Sequence, residues 1–442
     1  MSAGSAGRGY GRGAAILSVG IGATGVVTYG YFALASHSLS EAGYGGITLL
    51  WSAVFVTVSV LYRPVEQLLS RTIAEREAGG RRGNEHLRVA GAIQLALGLA
   101  FALAALALRG PLEDELFGGS GTLYAILIAT VLAYAVSYFA RGYLAGSRRY
   151  GLYGGLVLME AGSRILFALA VAVGIASGQS VVALGILAAP IVSLAVVPFA
   201  FGRLSAPPAP AEAAPSESES APSGDTPFTL SRGTGFAAAV LGIMLAEQAF
   251  LNAGPLLVKA TEGDAGTALA GFTFNVLLIA RAPLQLFQAV QTSILPHLTR
   301  LGARGETDPF RRSVNTTLLA VAGFAVLVAL VMLAAGPTVM DLVFGGEFDY
   351  DRWGLVLIAI GMGLYLAAAT LNQALLARGQ AARACAAWLA AAAGFVAFLL
   401  LPDFDDRVLQ VEIGYAGAAL MLSGLLAALY RRGHPAPSGR QR

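Results

Sequence analysis

Charge is scarce in this chain. Only 12% of its 442 residues are Asp, Glu, Lys or Arg, against 56% hydrophobic, and the mean hydropathy is +0.68. Soluble globular domains carry roughly 25% charged residues, so this composition excludes one and assigns the chain to a membrane. Cysteine is nearly absent too: Cys385 is alone, which excludes an internal disulfide. The four histidines, His37, His86, His297 and His434, lie far apart without ligand spacing, so no metal site is expected. There is no glycine-rich phosphate loop ending in lysine and no nucleophile elbow. ATP-driven and hydrolytic chemistry are therefore not expected, and neither are an enzymatic activity, a bound cofactor or a nucleic-acid partner. The alternating pattern of a membrane barrel is missing as well, which leaves helices as the way to satisfy backbone groups in lipid.

What is present is a series of apolar runs of about 20 residues, the length that crosses a bilayer at about 1.5 Å per residue. Twelve spans are predicted: 13–36, 44–70, 88–108, 122–144, 152–176, 181–203, 233–256, 267–293, 313–336, 353–376, 382–401 and 412–430. The fold class is all-α and polytopic, with two six-helix lobes around a central cavity. The expected division is a first lobe over 1–203, a disordered linker over 204–232, a second lobe over 233–430 and a tail over 431–442. The linker, "LSAPPAPAEAAPSESESAPSGDTPFTLS", is rich in Pro, Ser, Ala and Glu and cannot bury a core. The first apolar run exceeds the 7–15 residues of a typical signal h-region, so it is expected to stay as helix one.

Arginine orients the chain. Of the 29 basic residues only Lys259 is lysine, and 22 of the 29 fall in the segments that would be cytoplasmic if the N-terminus is inside. The opposite loops hold Arg109, Lys259, Arg352 and Arg407 and are acidic, as in "PLEDELFGG", "GGEFDYD" and "PDFDDR". Both termini are therefore expected in the cytoplasm. The halves also echo each other. "LYRPVEQLL" at 61–69 and "IARAPLQLF" at 279–287 each set Arg, Pro and Gln in a hydrocarbon run, in the second helix of each half. Parallel repeats of this kind place a transport site between them. "GIGATG" at 20–25 formally matches a dinucleotide fingerprint but lies in a span without a preceding strand. It and "GYLAG" at 142–146 read as small residues for close helix packing.

Three basic residues remain within the spans: Arg63, Arg164 and Arg281. An arginine at the bilayer centre costs at least about 2.5 kcal/mol, so it should face the bundle or a wet cavity. Arg281 begins a polar stripe continued by Gln285, Gln288 and Gln291 at helical spacing, while Arg63 either joins the cavity or snorkels to headgroups. Pro64 and Pro283 should bend their helices. Glu160 and Arg164, four apart with the acid first, read as an intrahelical pair with a substrate contact as the alternative. Counted along its helix, Glu247 stands alone in the outer half, about 20 Å from the inner surface. There it can bond a neighbouring helix, exchange a proton, or hold sodium with Asn252 or Asn275; Asn275 is at matching depth and Asn372 is not.

With "SEAGYGGITLLWSAVF", "RTIAERE", "RAPLQLFQAVQTSILPHLTRL", "AAGPTVMDLVFGGEF" and "LNQALLARGQ" in this order across both halves, the chain resembles the multidrug, oligosaccharidyl-lipid and polysaccharide (MOP) flippase superfamily, in its polysaccharide transporter branch. The resemblance implies two lobes that rock around a central cationic cavity. Its cargo would be a lipid-linked saccharide, carried to the outer leaflet of a bacterial cytoplasmic membrane. Toward such a cargo Arg281, Arg63 and Arg164 are the candidate diphosphate contacts and Gln285 and Gln288 the candidate sugar contacts, while Glu247 with Asn275, on its charge and depth alone, is the candidate proton or sodium coupling group. Implied partners are membrane lipids and polysaccharide-assembly proteins, around a monomeric transporter. Helix one carries no arginine, which argues against a peptidoglycan precursor as cargo. The alternatives are a cation-coupled small-molecule exporter of the multidrug type and a non-transporting scaffold for envelope assembly.

Overall fold

A computed structural model of the protein describes residues 3–78, 83–196, 198, 230–303, 307–345, 348–402 and 404–432. Those residues contain no strand. The first lobe holds α1 (Ala3–Ser38), α2 (Glu41–Leu61), α3 (Arg63–Ala78), α4 (Glu85–Ala107), α5 (Gly121–Gly146), α6 (Tyr150–Ala172) and α7 (Gln179–Ser193). The second holds α8 (Leu230–Glu262), α9 (Gly266–Ala303), α10 (Thr307–Phe344), α11 (Arg352–Ala377), α12 (Ala381–Leu399) and α13 (Arg407–Arg432). α2 and α3 form one bent span, Glu41–Ile73. Twelve spans were expected; among the described residues nine helices are long and apolar enough to cross a membrane, and α7 and the first part of α9 are shorter apolar helices. The expected linker falls on residues outside the described set up to 229, and α8 begins at Leu230.

Local chemistry explains the ends. Ser40 caps α2 by accepting from Gly43 N at 3.2 Å, Asp351 caps α11 through Gly354 N at 2.8 Å, and Asp406 caps α13 through Val408 N and Leu409 N at 2.9 and 3.0 Å. The span from Glu41 breaks at Tyr62, just before Arg63 and Pro64; proline has no N–H to continue the ladder there.

Small residues set the packing. In "GYLAG", a Cβ on Gly142 would lie 2.8 Å from the Glu66 carbonyl oxygen and one on Gly146 would lie 2.8 Å from that of Ser70, so α5 and α3 touch backbone to backbone. On the side away from the termini the lobes are closed against each other. A Cβ on Gly45 of α2 would overlap the Thr267 carbonyl oxygen of α9. Tyr44 donates to Asn275, whose amide donates to the Tyr350 hydroxyl at 3.1 Å, and Ser36 donates to the Phe344 carbonyl.

Candidate functional site: the cavity between the lobes

A cavity of about 450 Å³ lies between the lobes, below this closed face. Its first-lobe wall carries Trp51, Phe55 and Ser59 of α2, Arg63, Glu66 and Gln67 of α3, Tyr138 and Arg141 of α5, and Tyr153 of α6. The second lobe contributes Glu247, Gln248, Leu251 and Asn252 of α8 and Arg281 of α9.

Arg281 is buried, and the reason it can be is on α8. Pro255 lacks the N–H that would bond the carbonyl four residues earlier, and that carbonyl, Leu251 O, accepts from Arg281 Nη2. The same nitrogen donates to Asn252 Oδ1 at 3.0 Å, and the guanidinium lies 4.4 Å from the Phe274 ring centroid. Its Nε is buried without a partner, and no carboxylate among the described residues pairs with it. Arg281 therefore keeps an uncompensated charge at the cavity wall, anchored at one end.

Arg63 lines the cavity, one of the two positions the sequence left open for it. It also corrects the picture of Glu247 as an acid standing alone. Arg63 Nη1 lies 3.9 Å from Glu247 Oε2, and the Tyr365 hydroxyl lies 3.4 Å from Oε1. α8 runs to Glu262, six residues past its expected end, and Glu247 stands near the middle of that helix. Both side chains are about a third or a quarter exposed, at 33% and 26%, so this cross-lobe bridge contributes at most about 1 kcal/mol and can be exchanged for a ligand.

The expected Glu160–Arg164 side-chain pair is not formed. Glu160 Oε2 accepts from Arg141 Nη2 and Oε1 from Ser137 at 2.5 Å, while Arg164 Nε reaches only the Glu160 carbonyl, at 3.2 Å. A partner on a facing helix approaches the carboxylate head on, whereas Arg164 instead lays its plane over Trp51, 4.8 Å from the centroid. It stands behind the cavity wall and does not line it. Asn275 is likewise not beside Glu247: it belongs to the Tyr44–Asn275–Tyr350 chain of the closed face. Burial pushes the Tyr350 hydroxyl well above the ordinary tyrosine range, so it stays neutral and available to that chain. Asn372 accepts from Trp388 Nε1 at 3.2 Å. The side chains of Gln285, Gln288 and Gln291 lie outside the described set.

Sequence reasoning missed Glu66, Tyr138, Arg141 and Tyr153. Tyr153 donates to Glu66 Oε1 at 2.9 Å, and Arg141 stacks over Tyr138 at 4.6 Å. The signal was there in "AYAVSYFAR": Tyr134, Tyr138 and Arg141 recur at helical spacing, the same stripe that marks Arg281.

No protein-family model matches the chain, and no curated protein matches it in sequence. Solved structures do match in fold. The MATE transporter VcmN of Vibrio cholerae, in a point-mutant form, superposes with a TM-score of 0.60 at 17% identity, over 96% of this chain and 97% of that one. A multidrug resistance MATE family transporter of the MOP superfamily, in an inward-facing conformation, gives 0.64 at 14% identity, over 95% and 97%. A MOP superfamily transporter from Pyrococcus furiosus, described as having a binding pocket of reverse polarity that suggests a different function, gives 0.57 at 14% identity, over 95% of each chain. The chain thus has the fold of the MATE transporters of the MOP superfamily.

Proposed function

We propose that the protein is an alternating-access flippase that carries an anionic, lipid-linked oligosaccharide or polysaccharide precursor to the outer leaflet of a bacterial cytoplasmic membrane. The observation that carries this is Arg281, a buried guanidinium in the interlobe cavity with no carboxylate partner among the described residues. A planar guanidinium matches phosphate oxygens with two parallel donors and keeps its charge. Arg63 stands across the cavity on a bridge weak enough to yield to a diphosphate, and Gln67, Gln248 and Asn252 offer amides to sugar hydroxyls. The cavity falls within the roughly 300–1,000 Å³ of ligand sites, room for a headgroup with its tails left in lipid. Displacing Glu247 from Arg63 then frees a carboxylate for a proton or sodium, which would couple the cycle to a gradient. The arginine asymmetry supports a cytoplasmic position for the face with the termini. In a Cys385→Ala background, Asp405→Cys should react with an impermeant thiol reagent on intact cells and Ser218→Cys should not; the reverse pattern overturns this orientation.

A second reading has its own observation. Glu66 and Glu247 line the same cavity, and a cationic small molecule would pair with them. Binding to the purified chain separates the two. A polyprenyl-diphosphate oligosaccharide should bind the wild type, with affinity lowered about 10-fold to 150-fold by Arg281→Ala, the worth of one charge-assisted contact. Tight binding of a lipophilic cationic dye that Glu247→Gln abolishes, with no binding of the saccharide, establishes the exporter of cations instead.

A further inference from the structure

α10 stands at the edge of the second lobe. Its Leu319, Val326, Leu327 and Leu330 are more than half exposed, so in a bilayer this helix meets lipid. Its other face packs on α11, closely enough that a Cβ on Gly363 would lie 2.3 Å from the Ala325 Cβ. Along the outside of this seam runs a groove of about 500 Å³, from Leu318 to Leu333 on α10 and from Val356 to Ala367 on α11. None of the residues that line it belongs to the central cavity.

The dimensions of the groove select its occupant. At about 1.5 Å per residue the stretch from Leu318 to Leu333 is about 22 Å long, which gives the groove a mean section of about 23 Å². One extended hydrocarbon chain has that section. A helix, about 10 Å across, needs several times as much, so a membrane helix of a second copy does not enter.

The two ends differ in charge. On the side of the termini, Arg311 stands two turns before Leu318 on the same face of α10, with Arg312 next to it, and both are exposed. Arg378, just past the end of α11, lies over Phe310 of α10 at 4.8 Å and over Tyr430 of α13 at 4.2 Å, and its Nη1 donates to the Tyr430 carbonyl at 3.1 Å. These contacts gather three guanidiniums at one end of the seam. None of them forms an ion pair with a carboxylate among the described residues, and the one acid nearby on α10, Asp308, leaves the cluster positive. At the opposite end Arg352 has Asp349 and Asp351 beside it, so no positive excess remains there.

We propose that this seam binds one anionic phospholipid from the leaflet on the side of the termini, with an acyl chain in the groove and the phosphate on Arg311, Arg312 and Arg378. Guanidiniums match phosphate oxygens with parallel donors, and basic pockets between membrane helices suit anionic headgroups. The roughly 10 Å along α10 between Leu318 and Arg311 leaves room for the glycerol and ester groups. A zwitterionic lipid would bring its own cation to the same arginines and bind more weakly. The bound lipid would bridge α10, α11 and α13 and keep α10 docked on its lobe.

The test uses the full chain purified in detergent, with dioleoyl phosphatidylglycerol, dioleoyl phosphatidylcholine or a polyprenyl phosphate added, read by native mass spectrometry and thermal unfolding. One phosphatidylglycerol per chain should be retained, and it should raise the unfolding midpoint in a saturable way, beyond phosphatidylcholine. Arg311→Gln with Arg312→Gln, both at exposed positions, should weaken phosphatidylglycerol about 10-fold or more. Ala322→Phe, which plugs the groove from an exposed position, should abolish the retained lipid and leave the lipid-free midpoint near wild type. Equal stabilisation by the two phospholipids overturns the site, as does a phosphatidylglycerol preference unchanged in either variant. Tighter retention of the polyprenyl phosphate would assign the groove to the cargo carrier instead, and dimers that Ala322→Phe disperses would assign it to a second copy; either result overturns the proposal.

Discussion

Arginines placed in hydrocarbon differ in what holds them, and that difference predicts their mutants. Arg141 and Glu160 form a pair whose side chains are nearly sealed, so Glu160→Ala strands a charge and should cost about 3–5 kcal/mol of stability. Arg63→Ala breaks a half-solvated bridge and should cost about 1 kcal/mol or less. Thermal unfolding of both variants checks the order, and equal losses would contradict it. Arg281 has two duties that substitution can separate. Arg281→Ala leaves the Leu251 carbonyl without its donor, at about 1–3 kcal/mol, and weakens cargo binding as well. Arg281→Lys retains a donor for that carbonyl but loses the planar fork, so stability should stay near wild type while binding falls. Wild-type binding in the lysine variant would mean that only charge matters. The exceptional residues were legible in the sequence as charges out of place; their partners were not. Glu160 had a candidate four residues away on its own helix, yet the bond went to Arg141 on a facing helix, a choice that tertiary packing makes.

The middles of the helices were legible, because hydropathy marks the stretch that crosses hydrocarbon. It does not mark where a helix ends in the headgroup layer or beyond, so α8 and α10 run past their expected ends to Glu262 and Phe344. Nor does it mark which faces meet across the cavity, and that is what brings Glu247 of α8 to Arg63 of α3. The close approach of α3 and α5 was also legible, from "GYLAG". It yields a direct test. Gly142→Val and Gly146→Val should each destabilise by about 1–3 kcal/mol through overpacking, because the added carbons meet backbone that cannot move aside. Gly155→Ala on α6 meets nothing within 4 Å and should be neutral or slightly stabilising in the same unfolding measurement.

The whole molecule is two lobes that touch closely on one face and enclose a cavity toward the other. The closed face is held by short-range contacts that a rocking motion must break: Gly45 against Thr267, Tyr44 and Tyr350 on Asn275, and Ser36 on Phe344. None of these contacts could be read from the sequence, because each joins residues more than seventy positions apart, and Asn275 looked like a coupling group on depth alone. They make a mechanical prediction. Tyr44→Cys with Asn275→Cys, in a Cys385→Ala background, should be joined by a short reducible bifunctional thiol reagent, which pins the closed face. The decisive measurement is flipping of a polyprenyl-diphosphate oligosaccharide in proteoliposomes containing this double variant, before crosslinking, after it and after reduction. Alternating access predicts transport before crosslinking, arrest while the reagent bridges the lobes and recovery on reduction; transport at an undiminished rate through the pinned molecule would contradict it.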